Sequence, residues 1–221
     1  QDQHVYLDDT PDTPEEQALI DGEKDAFIDA CLEKYGDTLP LYSTANTARD
    51  MDAMRAALGD DQISYLGISY GTYLGAVYAT LFPDRVRAMV LDSAMDPDGD
   101  TIEQQYLTQL VGFEGAFREW AAWCEEGSEC AFADVDVAAR WDALRQQLDE
   151  QPLASADGRE INQATLRRAT TAALYSDSRW PVLAEALADA ENGDGLAILA
   201  LADEYNGRNE DGTYDTLFQS L

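Results

Sequence analysis

The spacing of hydrophobic residues changes once along the chain, after residue 96. Before it, two short apolar runs flank a stretch of helix-like composition, and short apolar runs bounded by turn residues are typical of buried strands. Two further helices are indicated upstream, the first opened by Thr13 and Pro14 and the second closed by Gly59. The predicted elements are helices over residues 13–36 and 43–58, a strand over 62–68, a helix over 70–82 and a strand over 86–91.

From residue 101 onward the apolar residues recur at intervals of three and four, which is the period of an amphipathic helix. Asn162 is a predicted N-terminal cap, and Asp157 with Gly158 predicts a tight turn between two of the helices. The predicted helices cover residues 101–124, 135–148, 163–175, 180–191 and 196–205.

One segment carries a catalytic motif. Residues 67–71 read Gly-Ile-Ser-Tyr-Gly, which matches the G-x-S-x-G pattern of a nucleophile elbow, and the predicted strand and helix around it supply the required context. Such a turn strains the serine backbone and exposes its hydroxyl, and glycines are needed where strand and helix pass closely. We predict that Ser69 is a nucleophile and that close packing requires Gly67 and Gly71. A chance match in a buried strand-to-helix connection is the alternative.

The partners of this serine are not evident in the sequence. A serine hydroxyl needs a general base, usually a histidine that a carboxylate orients. The chain has one histidine, His4, which lies in a polar, acidic stretch before Ser69, whereas the α/β-hydrolase order places acid and base after the serine. We therefore disfavour His4 as the base. The acid and the base are expected outside these 221 residues, so that the chain alone would have little or no activity.

The predicted fold class is α/β, with a partial core and a large helical cap. Two parallel strands do not form a stable sheet in water, and parallel sheets are normally covered on both faces. We therefore expect further N-terminal and C-terminal core strands outside this sequence. The predicted division is a partial core over residues 1–100, a helical cap over 101–206 above the active site and a return segment over 207–221 toward the rest of the core. An independent helical domain unrelated to the site is the alternative.

The charge balance disfavours some partners. The chain has 44 acidic and 14 basic residues, for a formal net charge of −30. Such a surface repels phosphates and anionic lipid heads, so nucleic acid is not an expected partner. No apolar stretch reaches the roughly 18 residues of a membrane-spanning helix. The charge suits a secreted enzyme, a high-salt environment or capture of a cationic group, and simple solubility explains it equally well.

The three cysteines of the chain give information on the cellular compartment in which the protein works. Cys124 and Cys130 flank a short, acidic, turn-like segment and are close enough for a local disulfide, although two free buried thiols are the alternative. With no histidine nearby, a zinc site is disfavoured. Cys31 is left odd, and its partner is expected upstream. The cysteines, and a first residue that is Gln1 instead of methionine, favour an exported protein from which a leader has been removed.

A longer stretch of sequence around the elbow resembles a known family. Residues 65–76 read YLGISYGTYLGA, followed by LFPDRV at 81–86 and VLD at 90–92. Together they resemble the secreted actinobacterial tripeptidyl-aminopeptidase-like α/β-hydrolases, relatives of proline iminopeptidase. Segments at 30–37, 123–130, 173–181 and 201–205 are also similar to that family, so the resemblance covers nearly the whole chain. The family's paired cysteines match Cys124 and Cys130.

The resemblance implies hydrolysis of peptide bonds near a free N-terminus, by acyl transfer to a serine. Carried over, Ser69 is the nucleophile and the backbone N–H of Tyr70 is one oxyanion donor, at a helix N-terminus that stabilises negative charge. The second donor would come from a glycine-rich loop that this sequence lacks. The family implies no cofactor, a peptide or small acyl substrate, and a secreted or cell-envelope location. The oligomeric state stays open.

Several carboxylates have two interpretations. Asp92 ends the second strand, where some hydrolases carry the catalytic acid, but the family pattern makes it structural. Glu103 and Glu114 on the long helix are candidates to bind the substrate ammonium group, and a solvated helix face explains them equally well. Residues 96–100 read Asp-Pro-Asp-Gly-Asp and match the first three ligand positions of a calcium loop. The rest of that loop pattern fails, so a solvated turn is favoured.

Two other classes of function remain open. An esterase or lipase would use the same elbow, and a preference for acyl esters over tripeptidyl amides would identify it. A non-catalytic binding module of hydrolase-like fold would lack a downstream aspartate and histidine where the triad expects them.

Overall fold

The computed structural model describes residues 5–97, 101–127 and 130–214. It divides into two compact units, which we call the sheet unit, Asp25–Thr108, and the helical unit, Gln1–Lys24 with Gln109–Leu221. His4, the residues 98–100 of the candidate calcium loop and residues 215–221 of the return segment lie outside the described residues.

Every predicted helix and strand is present, with bounds that differ by at most two residues. The largest difference is at the fifth helix, which begins at Val137 because the side chain of Asp136 caps it, accepting a hydrogen bond from the Ala139 N–H at 2.9 Å. A small hairpin, β3 with β4, was not predicted beyond its turn. The elements are α1 Pro14–Tyr35, α2 Thr44–Leu58, β1 Ile63–Ile68, α3 Tyr70–Leu81, β2 Val86–Asp92, α4 Ile102–Glu126, α5 Val137–Glu150, β3 Leu153–Ala154, β4 Glu160–Ile161, α6 Gln163–Leu174, α7 Trp180–Glu191 and α8 Leu196–Asn206, with short 3-10 helices at Gly36–Leu41, Pro83–Arg85 and Asp177–Arg179.

The sheet unit is built around a parallel pair of strands. β1 pairs with β2 in a register that places Gly67 opposite Leu91 and Ile68 opposite Asp92. The connecting helix α3 packs on both strands, and α2 packs on α3. Tyr78 of α3 is fully buried, and its hydroxyl donates a hydrogen bond to Asp52 of α2 at 3.2 Å. This packing leaves the carboxyl ends of both strands next to the start of α3.

Within the described residues, β1 and β2 are covered on one face only. Leu66 and Val90 pair across the strands, yet they are 64% and 61% exposed. The reason is that α3 packs on the opposite face, and within the described residues β1 and β2 pair only with each other. Period and composition correctly predicted the strands but not what covers them.

The helical unit has its own hydrophobic core. The short antiparallel pair of β3 and β4 precedes α6, and Gly158 in its turn has a φ of 86°, a left-handed conformation that favours glycine. The Cys124–Cys130 disulfide lies at the end of α4 and is formed, as the spacing predicted, while Cys31 is free and half-buried. The largest fully buried side chains include Trp120, Phe132, Leu144, Leu148, Ile161, Leu166, Leu183, Leu187 and Ile198.

The N-terminal segment is part of this core, which had not been predicted from the sequence. Tyr6 is 6% exposed, and its hydroxyl donates a hydrogen bond to Asp203 of α8. The Arg159 guanidinium lies 4.9 Å from the Tyr6 ring centroid, and Asn162 donates to the Tyr6 carbonyl at 3.0 Å. Burial, followed by the hydrogen bond to Asp203, raises the pKa of the Tyr6 hydroxyl to about 12. The adjacent apolar residues Val5 and Tyr6 were the available signal.

The unit boundaries fall inside helices, at residues 24/25 and 108/109, whereas the predicted boundaries were at 100/101 and 206/207. After α8, Gly207 takes a left-handed conformation, and Arg208 pairs with Tyr214 as a β-bridge. Tyr214 is buried in the core of the helical unit. The assignment of residues 101–206 as a cap stays a prediction.

Candidate active site

Ser69 lies at the turn between β1 and α3, and its backbone is strained. Its φ is 53° and its ψ is −122°, a combination that non-glycine residues rarely adopt. Among the described residues, Ser69 and Ser93 are the non-glycine residues with a positive φ. Strain of this kind costs about 1–3 kcal/mol and persists only where surrounding contacts impose it. The Ser69 side chain is exposed, as expected at a nucleophile elbow.

Hydrogen bonds on both sides hold this turn. The Ser69 N–H donates to the Asp92 carbonyl at 3.0 Å, which continues the pairing of the two strands. The Ser69 carbonyl accepts from the Thr72 N–H at 2.8 Å and from the Thr72 hydroxyl at 2.7 Å. The same hydroxyl accepts a hydrogen bond from the Met95 N–H at 2.8 Å. The elbow is therefore fixed to β2 and to the segment that follows it.

Close packing of strand against helix requires glycine at position 67. A Cβ atom on Gly67 would lie 2.5 Å from the Gly71 carbonyl oxygen, closer than real Cβ contacts come. The same reason does not hold for Gly71, where a Cβ would meet only the Tyr65 hydroxyl oxygen at an ordinary 3.4 Å. The second position that needs glycine is Gly75, where a Cβ would lie 2.7 Å from Tyr65 and 2.9 Å from Leu91. The predicted steric role of Gly71 is thus corrected in favour of Gly75.

Tyr65, which was not among the predicted site residues, is the residue that makes this packing tight. Its hydroxyl donates a hydrogen bond to the Gly71 carbonyl at 2.7 Å. Burial raises the pKa of the Tyr65 hydroxyl, so it remains a protonated donor at neutral pH. Two signals were available: Tyr65 and Gly67 share a strand face at period two, and Gly71 and Gly75 share a helix face at a spacing of four.

Tyr70 is the first residue of α3, directly after the candidate nucleophile. Backbone N–H groups in the first turn of a helix have no acceptor within that helix, and they carry the positive end of its dipole. The Tyr70 hydroxyl makes a hydrogen bond with the Thr44 hydroxyl at the start of α2. This contact and the elbow hydrogen bonds tie Tyr70 to two helices of the sheet unit. The Tyr70 N–H is therefore a candidate to donate a hydrogen bond to an oxygen that becomes negative beside Ser69.

The described carboxylates that the sequence offered as candidate site residues have exposed side chains. Asp92 ends β2 with an exposed side chain, and it serves the elbow through its backbone carbonyl. Glu114 pairs with Arg118 at 2.8 Å, and both side chains are more than half exposed, which favours a solvated helix face. Glu103 is exposed in the first turn of α4. Within the described ranges, no group of three or more His, Cys, Asp or Glu side chains is placed to hold a metal ion.

A cleft of about 610 Å³ lies in the helical unit, where Tyr6, Asp157, Arg159 and Asn162 contribute to its lining. Arg159 is held there by Asp203 at 2.6 Å and by Asp157 at 2.8 Å. This ion-pair cluster joins the hairpin to α8 and is structural. None of the helices in the described part of the chain has the length and apolarity needed to cross a membrane.

The fold and the turn around Ser69 define the class of protein. The chain matches the α/β-hydrolase fold over residues 15–193 and belongs to that family. It is 38% identical to the serine protease Hip1 of Mycobacterium tuberculosis over 209 residues, which are 90% of this chain and 40% of that protein. It is 41% identical to a tripeptidyl aminopeptidase of Streptomyces lividans over 181 residues, 80% of this chain and 33% of that protein. The resemblance to tripeptidyl-aminopeptidase-like hydrolases is thereby confirmed.

Carboxylesterase B of Mycobacterium tuberculosis is also similar, at 42% identity over 188 residues, which are 83% of this chain and 36% of that protein. The chain thus spans about 40% of the length of Hip1 and about a third of the other two relatives.

Proposed function

We propose that the protein carrying this sequence is a serine hydrolase in which Ser69 attacks a substrate carbonyl and forms an acyl-enzyme. The observation that carries this proposal is the strained, exposed Ser69 at a strand-to-helix turn, with φ 53° and with hydrogen bonds to Asp92 and Thr72. A fold does not maintain a positive φ at a serine without compensating contacts, and such strain concentrates at functional sites.

In this mechanism the Ser69 hydroxyl adds to the carbonyl carbon while its proton passes to a histidine base. The oxygen of the tetrahedral intermediate becomes negative, and the Tyr70 N–H donates a hydrogen bond to it. Loss of one such donor typically raises the barrier by about 3 kcal/mol. The leaving amine or alcohol then takes the proton back, and water hydrolyses the acyl-enzyme by the same steps.

For the substrate we propose peptides, cleaved near a free N-terminus in the manner of a tripeptidyl aminopeptidase. This is supported by the similarity to proteins named serine protease and tripeptidyl aminopeptidase. The net charge of −30 would favour a cationic amino terminus over anionic substrates such as nucleic acids. The similarity to carboxylesterase B favours a second candidate, hydrolysis of acyl esters at the same serine.

We also propose that the protein works outside the cytoplasm, as a secreted or cell-envelope enzyme. The Cys124–Cys130 disulfide supports this, because structural disulfides persist in oxidising compartments. The 221 residues alone are proposed to turn substrate over slowly or not at all, because the only histidine, His4, precedes Ser69. Residues 101–206 are proposed as the cap domain, since their helices follow β2 in the chain order.

The test uses the intact protein that carries this sequence. A fluorophosphonate probe and tripeptidyl amide substrates are applied to the unmodified protein and to Ser69→Ala. We expect labelling and turnover to fall by at least about a thousandfold in Ser69→Ala, because the residual rate comes from binding and oxyanion stabilisation alone. Unchanged turnover in that variant would refute the proposal.

Ser93→Ala is the matched control, since Ser93 has the same unusual backbone sign (φ 56°) at the end of the neighbouring strand. It should keep both labelling and turnover. Short acyl esters are assayed beside the peptides, and a kcat/KM that favours esters by more than about a hundredfold would replace the peptidase by the esterase candidate.

A further inference from the structure

We propose that Thr72 is a positioning residue for the Ser69 reaction: its buried hydroxyl fixes the peptide unit between Ser69 and Tyr70 and thereby aims the Tyr70 N–H at the oxyanion. The inference rests on the proposed function and adds to it a residue outside the G-x-S-x-G motif.

The Thr72 side chain is almost fully buried, at 1% exposure, and its hydroxyl is used in both directions. It donates to the Ser69 carbonyl at 2.7 Å and accepts from the Met95 N–H at 2.8 Å. A hydroxyl has one proton to donate, so this orientation assigns that proton to the Ser69 carbonyl. Thr72 therefore bridges the elbow and the segment that follows β2.

Because of the geometry of the peptide bond, the Thr72 hydrogen bond to the Ser69 carbonyl also orients the Tyr70 N–H. The Ser69 carbonyl and the Tyr70 N–H belong to one rigid, planar, trans peptide unit, in which the two bonds point in opposite directions. Fixing the carbonyl direction therefore fixes the N–H direction. The carbonyl oxygen accepts two hydrogen bonds, from the Thr72 N–H at 2.8 Å and from the Thr72 hydroxyl at 2.7 Å. Rotation of the peptide unit would stretch both.

The bridge also gives the turn a second connection, to the segment that follows β2. The first connection is the Ser69 N–H to the Asp92 carbonyl, before the strained residue. The second connection joins Thr72, which follows the strained Ser69 in the chain, to Met95, which follows Ser93. The strained residue is thus held on both sides, which keeps its ψ of −122° and the following peptide plane in place. The backbone bond from the Thr72 N–H alone would leave the second side without this link.

A purely structural role is the competing explanation, because threonine hydroxyls commonly bond to carbonyls one turn back in helices. The two roles differ in what they change. A structural role changes stability only, whereas a positioning role changes interactions that form in the transition state. Loss of transition-state interactions lowers kcat and the affinity for a tetrahedral analogue, and it leaves ground-state binding of the substrate nearly unchanged.

The experiment compares Thr72→Val, which keeps the shape without the hydroxyl, with Thr72→Ser, which keeps the hydroxyl. Thr80→Val is the matched control, since the Thr80 hydroxyl also bonds to a helix carbonyl, that of Ala76 at 2.9 Å, in the same helix away from the elbow. Steady-state rates on the preferred substrate, inhibition by a peptide boronic acid and thermal unfolding are measured on the intact protein. Thr72→Ala is measured in parallel, because it removes the hydroxyl without crowding the buried site.

For Thr72→Val we expect kcat to fall about 10- to 100-fold, KM to stay within about twofold and boronate affinity to weaken in parallel with kcat. Thr72→Ser should recover most of the loss, and Thr80→Val should behave like the unmodified protein. A folded Thr72→Val or Thr72→Ala with unchanged kcat overturns the inference, as does a Thr72→Ser that is as slow as either. Failure of the proposed function is seen separately, as full turnover by Ser69→Ala.

Discussion

The residues around the elbow have different structural roles, although the G-x-S-x-G motif requires both of its glycines equally. Ser69 carries a positive φ, which a serine adopts only under constraint from its neighbours. Gly67 is required by the nearby Gly71 carbonyl, while Gly71 itself has room for a methyl group. Tyr65, on the same strand face as Gly67, fills the space that a side chain on Gly67 or Gly75 would need. The identity of each residue therefore follows from one or two specific contacts.

We predict that Gly67→Ala destabilises the protein by about 3 kcal/mol or more, since backbone atoms 2.5 Å from the new Cβ cannot give way cheaply. Gly71→Ala is the matched variant. It should be neutral or stabilising by up to about 1 kcal/mol, because alanine is preferred to glycine inside a helix. Chemical denaturation of both variants measures the difference, and equal losses would contradict the packing seen here.

At the scale of elements, helix starts are marked by side chains that cap them. Ser43, Asp136 and Asn162 each accept a hydrogen bond from a backbone N–H in the first turn of the helix that follows. The three caps differ in surroundings. Ser43 is exposed, whereas Asn162 is 6% exposed and also donates to the Tyr6 carbonyl at 3.0 Å. The Asn162 cap therefore joins α6 to the N-terminal segment.

We expect Asn162→Ala to lower the free energy of unfolding by about 2–3 kcal/mol, because it removes a cap and leaves a buried carbonyl unpaired. Ser43→Ala, an exposed cap with no second partner, should cost about 1 kcal/mol. Asn162→Asp keeps the acceptor but loses the donor to Tyr6, and it should fall between the two. Denaturant titration gives all three values. A loss in Asn162→Ala no larger than in Ser43→Ala would show that the contact to Tyr6 contributes nothing.

The whole molecule is dominated by its charge. With 44 acidic against 14 basic residues, most carboxylates have no basic partner available, so like-charge repulsion acts against the compact state. Ion pairs such as Arg140 with Glu191 and Arg159 with Asp203 offset only part of it. Salt screens both the repulsion among carboxylates and the attraction within ion pairs. Because acidic residues are in such excess, we expect the screening of the repulsion to have the larger effect on stability.

Accordingly, we predict that the thermal unfolding midpoint rises when KCl is increased from about 0.1 M to about 1 M, as the Debye length falls from about 10 Å to about 3 Å. The same titration near pH 4.1, the isoelectric point from the sequence, is the control, because the net charge there is close to zero. The increment should shrink or vanish at that pH. A midpoint that falls with salt at pH 7 would show that the ion pairs outweigh the repulsion.

Much of the fold and part of the candidate site could be read from the sequence. The bounds of α2, α3 and α7 depend on caps, glycines and prolines within a few positions, and these were predicted to within a residue or two. The turn at Ser69 was predicted for the same reason. Three features were not predicted: the burial of Tyr6, the small hairpin and the exposure of Leu66. Each depends on whether a segment distant in the sequence covers a surface or leaves it open.

The sequence by itself determined the order of elements, the strand-to-helix turn and the position of Ser69, because these arise from contacts between residues close along the chain. Only the tertiary structure decided which glycine the packing needs and which side chain orients the elbow. Gly75 meets Leu91, and Thr72 meets Met95, which lies 23 positions away. Such contacts form when the parallel strands pair and α3 packs on them, and no local pattern of residues specifies which atoms then meet.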